Sequence, residues 1–178
     1  MRNPFGDRFD QASLAKLRFS KEDAQAMSDW LKGKRDFLVF TGNPGCGKTY
    51  FCAAVWNHNR QHKVFETARA WKESELLGRL RTQMNNGRDY LEDAKEMCDD
   101  ELVIIDDIGS TGVNDWRNEV YFTIIDYRSS TRKPTIITTN LNKDRLAVDV
   151  GTRVYSRIMA KENTFIEMQG KDLRMLGL

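Results

Sequence analysis

The chain has 178 residues, 40% of them hydrophobic and 30% charged, with a formal net charge of +2. That length suits one globular domain with a proper core, and the near-balanced charge excludes a broadly basic nucleic-acid coat while allowing a local patch. Cys46, Cys52 and Cys98 form no CxxC pair and no Cys/His cluster of metal spacing, and no apolar run approaches membrane-spanning length or a secretory signal. A cytoplasmic protein with reduced thiols and no membrane association is expected.

In chain order, Ser20-Lys-Glu-Asp23 reads as a capping box. It opens a short helix with Ala24, Met27, Trp30 and Leu31 on one face, stopped by Gly33. The pattern then changes to short apolar, β-branched runs. Strands are predicted at Phe37–Thr41, Lys63–Thr67, Glu101–Ile105, Thr135–Thr139 and Thr164–Met168. Two of these are nearly continuous in apolar residues, as strands covered on both faces must be. Helical spacing is predicted from Lys48 to about Arg60, from Trp71 to Met84, from Asp115 to Ser129 and around Arg153 to Met159. Alternating strands and helices imply βαβ units and a mostly parallel five-stranded sheet, in an α/β three-layer sandwich. Residues 1–36 are read as a short extension with one helix, and residues 37–178 as the core with a minimal C-terminal lid.

Gly42-Asn-Pro-Gly-Cys-Gly-Lys-Thr49 follows a predicted strand and opens a predicted helix, which is the setting of a phosphate-binding loop. Glycines let the backbone wrap phosphates without Cβ clashes, and the helix N-terminus contributes partial positive charge. Lys48 would reach the β- and γ-phosphates, and the Thr49 hydroxyl would ligate Mg²⁺. The nucleotide-binding set runs through Gly42, Asn43, Pro44, Gly45, Cys46, Gly47, Lys48, Thr49 and Tyr50. A chance glycine-rich turn is the bland alternative, which the strand–loop–helix context disfavours. Leu102-Val-Ile-Ile-Asp106-Asp107 is a buried strand ending in two carboxylates. Asp106 is expected to hold Mg²⁺ and Asp107 to polarise the attacking water. A solvated turn is the alternative for this pair.

Together these motifs resemble the AAA+ ATPases of the DnaC/IstB-like helicase-loader group, over about Phe37 to Arg174. Ile104-Ile-Asp-Asp-Ile-Gly109 resembles the family's Walker B motif, and the strand ending Ile137-Thr-Thr-Asn140 resembles sensor 1. Gly151-Thr-Arg-Val-Tyr-Ser-Arg-Ile158 is similar to the arginine-finger segment, and Arg174 falls near the sensor 2 spacing. The resemblance implies that Asn140 aligns the lytic water, that Arg157 reaches a neighbouring subunit's γ-phosphate, and that Arg174 touches its own. Arg153 rivals Arg157, lying at i,i+4 on the same helical face. Two departures stand out. Only about 36 residues precede the first strand, so the loaders' helicase-gripping domain is expected to be absent or reduced to one helix. Position 107 is Asp, as the IstB-like branch often has, where many AAA+ proteins carry Glu, which implies a closer water or slow turnover.

The implied activity is Mg-ATP binding and hydrolysis within an ATP-bridged oligomer that acts on a replicative helicase and single-stranded DNA. Candidate DNA contacts are Lys72, Arg79, Arg81, Arg88 and the stretch Ser110–Arg117, with Trp116 or Tyr90 for stacking. The alternative for these is a packed Trp116 beside a solvated basic face. Rival functions are a transposition helper on double-stranded DNA and a nucleotide-gated switch with negligible hydrolysis. A kinase is disfavoured by the order of Asn140, Arg157 and Arg174.

Overall fold

Each of the five strands lies parallel to its neighbours in the computed structural model, which describes residues 3–17, 19–33 and 37–168. The strands are β1 (Phe37–Gly42), β2 (Ala68–Lys72), β3 (Leu102–Ile108), β4 (Thr135–Thr139) and β5 (Thr164–Met168), in spatial order β2-β3-β4-β1-β5. The helices are α1 (Lys21–Leu31), α2 (Lys48–His62), α3 (Glu73–Asn85), α4 (Tyr90–Met97), α5 (Asp115–Ser130), α6 (Lys143–Val150) and α7 (Thr152–Ile158). None of them is long and apolar enough to cross a membrane among the described residues.

Strand periodicity builds the three layers. Successive side chains point to opposite faces, so Leu38, Phe40, Leu102, Ile104 and Ile136 pack with α1 and α2, while Val39, Val103, Ile105 and Ile137 pack with α3 to α7. Two apolar cores therefore share one sheet. The N-terminal segment closes the α2 side. Phe5 and Ala12 are buried there, and the Asn57 amide on α2 donates to the carbonyls of Phe9 (3.0 Å), Asp10 (3.2 Å) and Ala12 (2.9 Å). The Ser20 cap forms as its sequence implies, accepting from the Asp23 N–H at 3.0 Å.

The second strand lies elsewhere than predicted. Lys63–Thr67 is a loop, and β2 begins at Ala68. Lys63 ends α2 in a left-handed conformation, and the Phe65 N–H donates to the Asn59 side chain at 2.7 Å. Phe65 is buried against Trp30, so its apolarity serves a loop plug. The helix expected from Trp71 starts instead at Glu73, because Trp71 pairs in register with Ile105. Helices α4 and α6 were not anticipated, and β3 runs on to Ile108.

Candidate functional site

The strand order sets β4 between β1 and β3, so the carboxyl ends of these three strands adjoin, the usual ligand crevice of an open parallel sheet. From β1 the chain enters the loop 42–47 and then α2. Gly42 has φ 145°, and a Cβ there would stand 2.2 Å from the Met168 carbonyl oxygen of β5. Only glycine lets the loop leave the sheet at this point. Lys48, buried, folds back over the loop and donates to the carbonyls of Gly42 (2.6 Å) and Asn43 (2.9 Å). Its ammonium also lies 3.6 Å from Cys46 Sγ. Gly47 caps α2 in a left-handed conformation without a side-chain acceptor, which leaves the first N–H groups of α2 for a ligand. The Tyr50 side chain turns the other way, accepting from the Ser13 N–H at 3.3 Å, so only its backbone faces the loop end.

Thr49 Oγ1 lies 3.0 and 3.3 Å from the two carboxylate oxygens of Asp106. Thus two residues 57 apart in sequence meet under the loop. The cause lies in β3. Ile105 pairs with Ile137 and Ile108 with Thr139, so Asp106 and Asp107 together oppose the single residue Thr138. This is a β-bulge. Asp107 takes a left-handed conformation (φ 67°), one that Asp tolerates better than most residues. Thr138 reads the bulge with one hydroxyl, donating to Asp106 Oδ1 at 2.6 Å and accepting from the Asp107 N–H at 2.8 Å. Asn140 donates through its amide to the Asp107 carboxylate. Partial burial, then the charges of Asp106 and Glu73, push the Asp107 carboxyl above its ordinary range, while Lys48 and Asn140 pull the other way.

The expected residues thus divide. The 42–49 loop, Asp106, Asp107 and Asn140 converge. Arg157 does not join them: its guanidinium donates to Asp126 on α5 (2.7 Å from Nε) and sits 4.8 Å from the centre of the Phe122 ring. Arg153 lies over the same ring at 3.7 Å. Arg174 falls outside the described residues. Among the DNA candidates Arg117 is fully buried, which corrects its reading as an exposed contact. Arg88 pairs with Asp93 and Arg79 with Glu75, whereas Arg81 lies 4.9 Å over Trp116, whose ring is 6.1 Å from that of Tyr90. Sequence reasoning missed Thr138 and the buried Glu73. Neither carries a local signal, because both act only through partners more than 30 residues away.

The donor set suits a magnesium nucleotide. A hydroxyl and a carboxylate are hard oxygen ligands, and a glycine loop with a lysine at a helix N-terminus suits phosphate. Comparison with known proteins agrees as to the nucleotide. Residues 8–154 match the family described as IstB-like ATP binding protein. The replicative helicase loader DnaC of Escherichia coli strain K12 is 29% identical over 123 residues, 68% of this chain and 49% of that protein. The uncharacterized protein YdaV of the same strain is 23% identical over 157 residues, 88% of this chain and 62% of its own. The chain therefore spans about half to three-fifths of the length of these relatives. A crystal structure of the DnaC helicase loader superposes with a TM-score of 0.78 at 26% identity, covering 92% of this chain and all of that one. The fold is that of an AAA+ P-loop domain, and the chain belongs to the IstB-like ATP binding protein family.

Proposed function

We propose that this chain binds and slowly hydrolyses Mg-ATP at the junction of β1, β3 and β4, as an ATP-controlled loader of a replicative helicase onto single-stranded DNA. The observation that carries the reading is the meeting of Thr49 with Asp106 beneath the glycine loop. When bound, Mg-ATP would supply the transferable phosphoryl group and the cation that offsets its charge. Lys48 would swing its ammonium from the loop carbonyls toward phosphate oxygens. Thr49 and Asp106 would hold the metal, Asp106 kept in place by Thr138. Asp107 would orient a water and accept its proton, with Asn140 fixing the carboxylate. Its side chain is one methylene shorter than Glu, which fits slow turnover.

Arg157, carried on α7, would complete the site of an adjoining copy, where a fixed guanidinium stabilises developing charge. Arg153 is its rival, and Arg174 would serve its own copy's nucleotide. The helicase assignment draws on the similarity to DnaC, a replicative helicase loader. The exposed Arg81 beside Trp116 and Tyr90 offers cations and rings to a strand. The family match also supports a second reading, a transposition helper on double-stranded DNA.

Binding of a fluorescent ATP analogue tests the core. Lys48→Ala should bind at least about a hundredfold more weakly, and an unchanged Kd would end the reading. Asp107→Ala should keep the affinity and lose turnover by about a hundredfold or more. Arg157→Ala should bind ATP yet lose concentration-dependent hydrolysis; normal rates at high protein concentration would hand the role to Arg153. A pull-down with a slowly hydrolysed ATP analogue should capture a hexameric helicase, whereas capture of a transposase would favour the second reading.

A further inference from the structure

Glu73 opens α3 directly after the edge strand β2 and belongs to none of the motifs above. Its carboxylate is 1% exposed, and a buried charge persists only with dense compensation. Its hydrogen bonds come from the loop leaving β3. The Gly109 N–H donates to Oε1 at 3.1 Å, and Oε2 accepts from the Ser110 N–H (2.9 Å), the Ser110 hydroxyl (2.6 Å) and the Thr111 N–H (2.9 Å).

The loop is gripped from its other side by Arg117. This guanidinium, fully buried, lies 4.0 Å from Glu73 and donates to the Thr111 carbonyl. It also donates to the Asp149 carbonyl (2.7 Å) and carboxylate (2.8 Å) at the end of α6. The clamped turn closes on the nucleotide side as well, because the Ser110 N–H lies 3.3 Å from the Asp107 carbonyl. Gly109 packs closely on the Leu141 side chain, which follows Asn140, and its φ of 86° favours glycine. Chain reversal alone needs no such device. The turn after α3 is held by backbone bonds from Asn86, Gly87 and Arg88.

We propose that Glu73 is a positioning residue for Asp107: through loop 109–111 it fixes the backbone that presents the Asp107 carboxylate, with Arg117 tying the far side of the loop to α6. This rests on the ATPase reading above. The Asp107 backbone sits in a left-handed bulge held by the Thr138 hydroxyl, with Asn140 on its carboxylate, so a loop free to shift would move the carboxylate relative to Asn140. A displacement of about 1 Å in a reacting group can cost on the order of a hundredfold in rate while leaving ligand contacts intact.

The test uses Glu73→Gln, which keeps the shape but removes the charge and, with its oxygen turned to Ser110 and Thr111, sets an amide N–H against the Gly109 N–H. Affinity for a fluorescent ATP analogue should stay within about threefold of the parent while kcat falls by about tenfold or more. Hydrogen exchange at the 109–111 amides should speed up while that of β1 and β4 is unchanged. Ser110→Ala removes one donor from the exposed turn and no buried charge, so it serves if Glu73→Gln fails to fold. It should lower kcat about threefold at unchanged affinity. A folded variant with unchanged kcat, or an affinity that falls in step with kcat, would overturn the inference. A parent that binds the analogue but never turns over would remove the ATPase reading and the inference with it.

Discussion

At the scale of single residues, Thr138 shows how a side chain given no role of its own within its motif can hold the site together. Its hydroxyl is buried and is shared between the Asp106 carboxylate and the Asp107 N–H. Thr138→Val keeps the shape and deletes both bonds, leaving a partly buried N–H unpaired. The expected cost is about 1–3 kcal/mol in urea unfolding, with Thr138→Ser recovering most of it. A variant as stable as the parent would mean that water replaces the hydroxyl. The phosphate loop was legible because its chemistry is local: glycines, Lys48 and Thr49 lie within eight consecutive positions. The bulge was not legible. Two Asp residues after a strand read the same whether or not the strand continues, and β3 continues to Ile108 only because Thr139 pairs there.

At the scale of elements, Arg128 does for the far end of the sheet what Thr138 does for the near end. It is fully buried on α5, and burial pushes its guanidinium down to about 10, so it remains charged at neutral pH. Its donors reach Thr135 Oγ1 (2.6 Å) and the carbonyls of Cys98 (2.6 Å), Asp100 (2.9 Å), Glu101 (3.0 Å) and Pro134 (2.6 Å). These are the end of α4 and the entries to β3 and β4. Arg128→Leu should cost about 3 kcal/mol or more, since four carbonyls, those of Cys98 and Pro134 on buried residues, lose a charged donor; Arg128→Lys should fall between. Chemical denaturation of the three proteins measures this directly. The same region explains the misplaced second strand. In β2 only Trp71 is buried, so no alternation marks the segment, and its strand character comes from pairing with β3. Helices α4 and α6 span eight residues each, about two turns, too short for a hydrophobic period to stand out, although Asp89 and Asn142 cap them.

At the scale of the whole molecule, two cores lie on opposite faces of one sheet, and neither can persist without the strands that also wall the other. Cys52 on α2 belongs to one core and Cys98 after α4 to the other, both fully buried. Burial raises the Cys52 thiol well above its ordinary value and pushes Cys98 up to about 12, so neither offers thiolate near pH 8. An alkylating reagent must therefore wait for the core to open. If the sheet makes the domain cooperative, both thiols should label at one common rate across a urea series, at least about a thousandfold slower than a free thiol in water. Mass spectrometry of the separate peptides resolves them from Cys46, which sits in the phosphate loop and should be shielded by nucleotide under the proposed function. Cys98 labelling at lower urea than Cys52 would show that α3 to α7 peel from the sheet before α2 does. The strand alternation argues against that order, because losing Val39, Val103, Ile105 and Ile137 to water on one face unseats the same strands that carry Leu38, Phe40, Ile104 and Ile136 on the other.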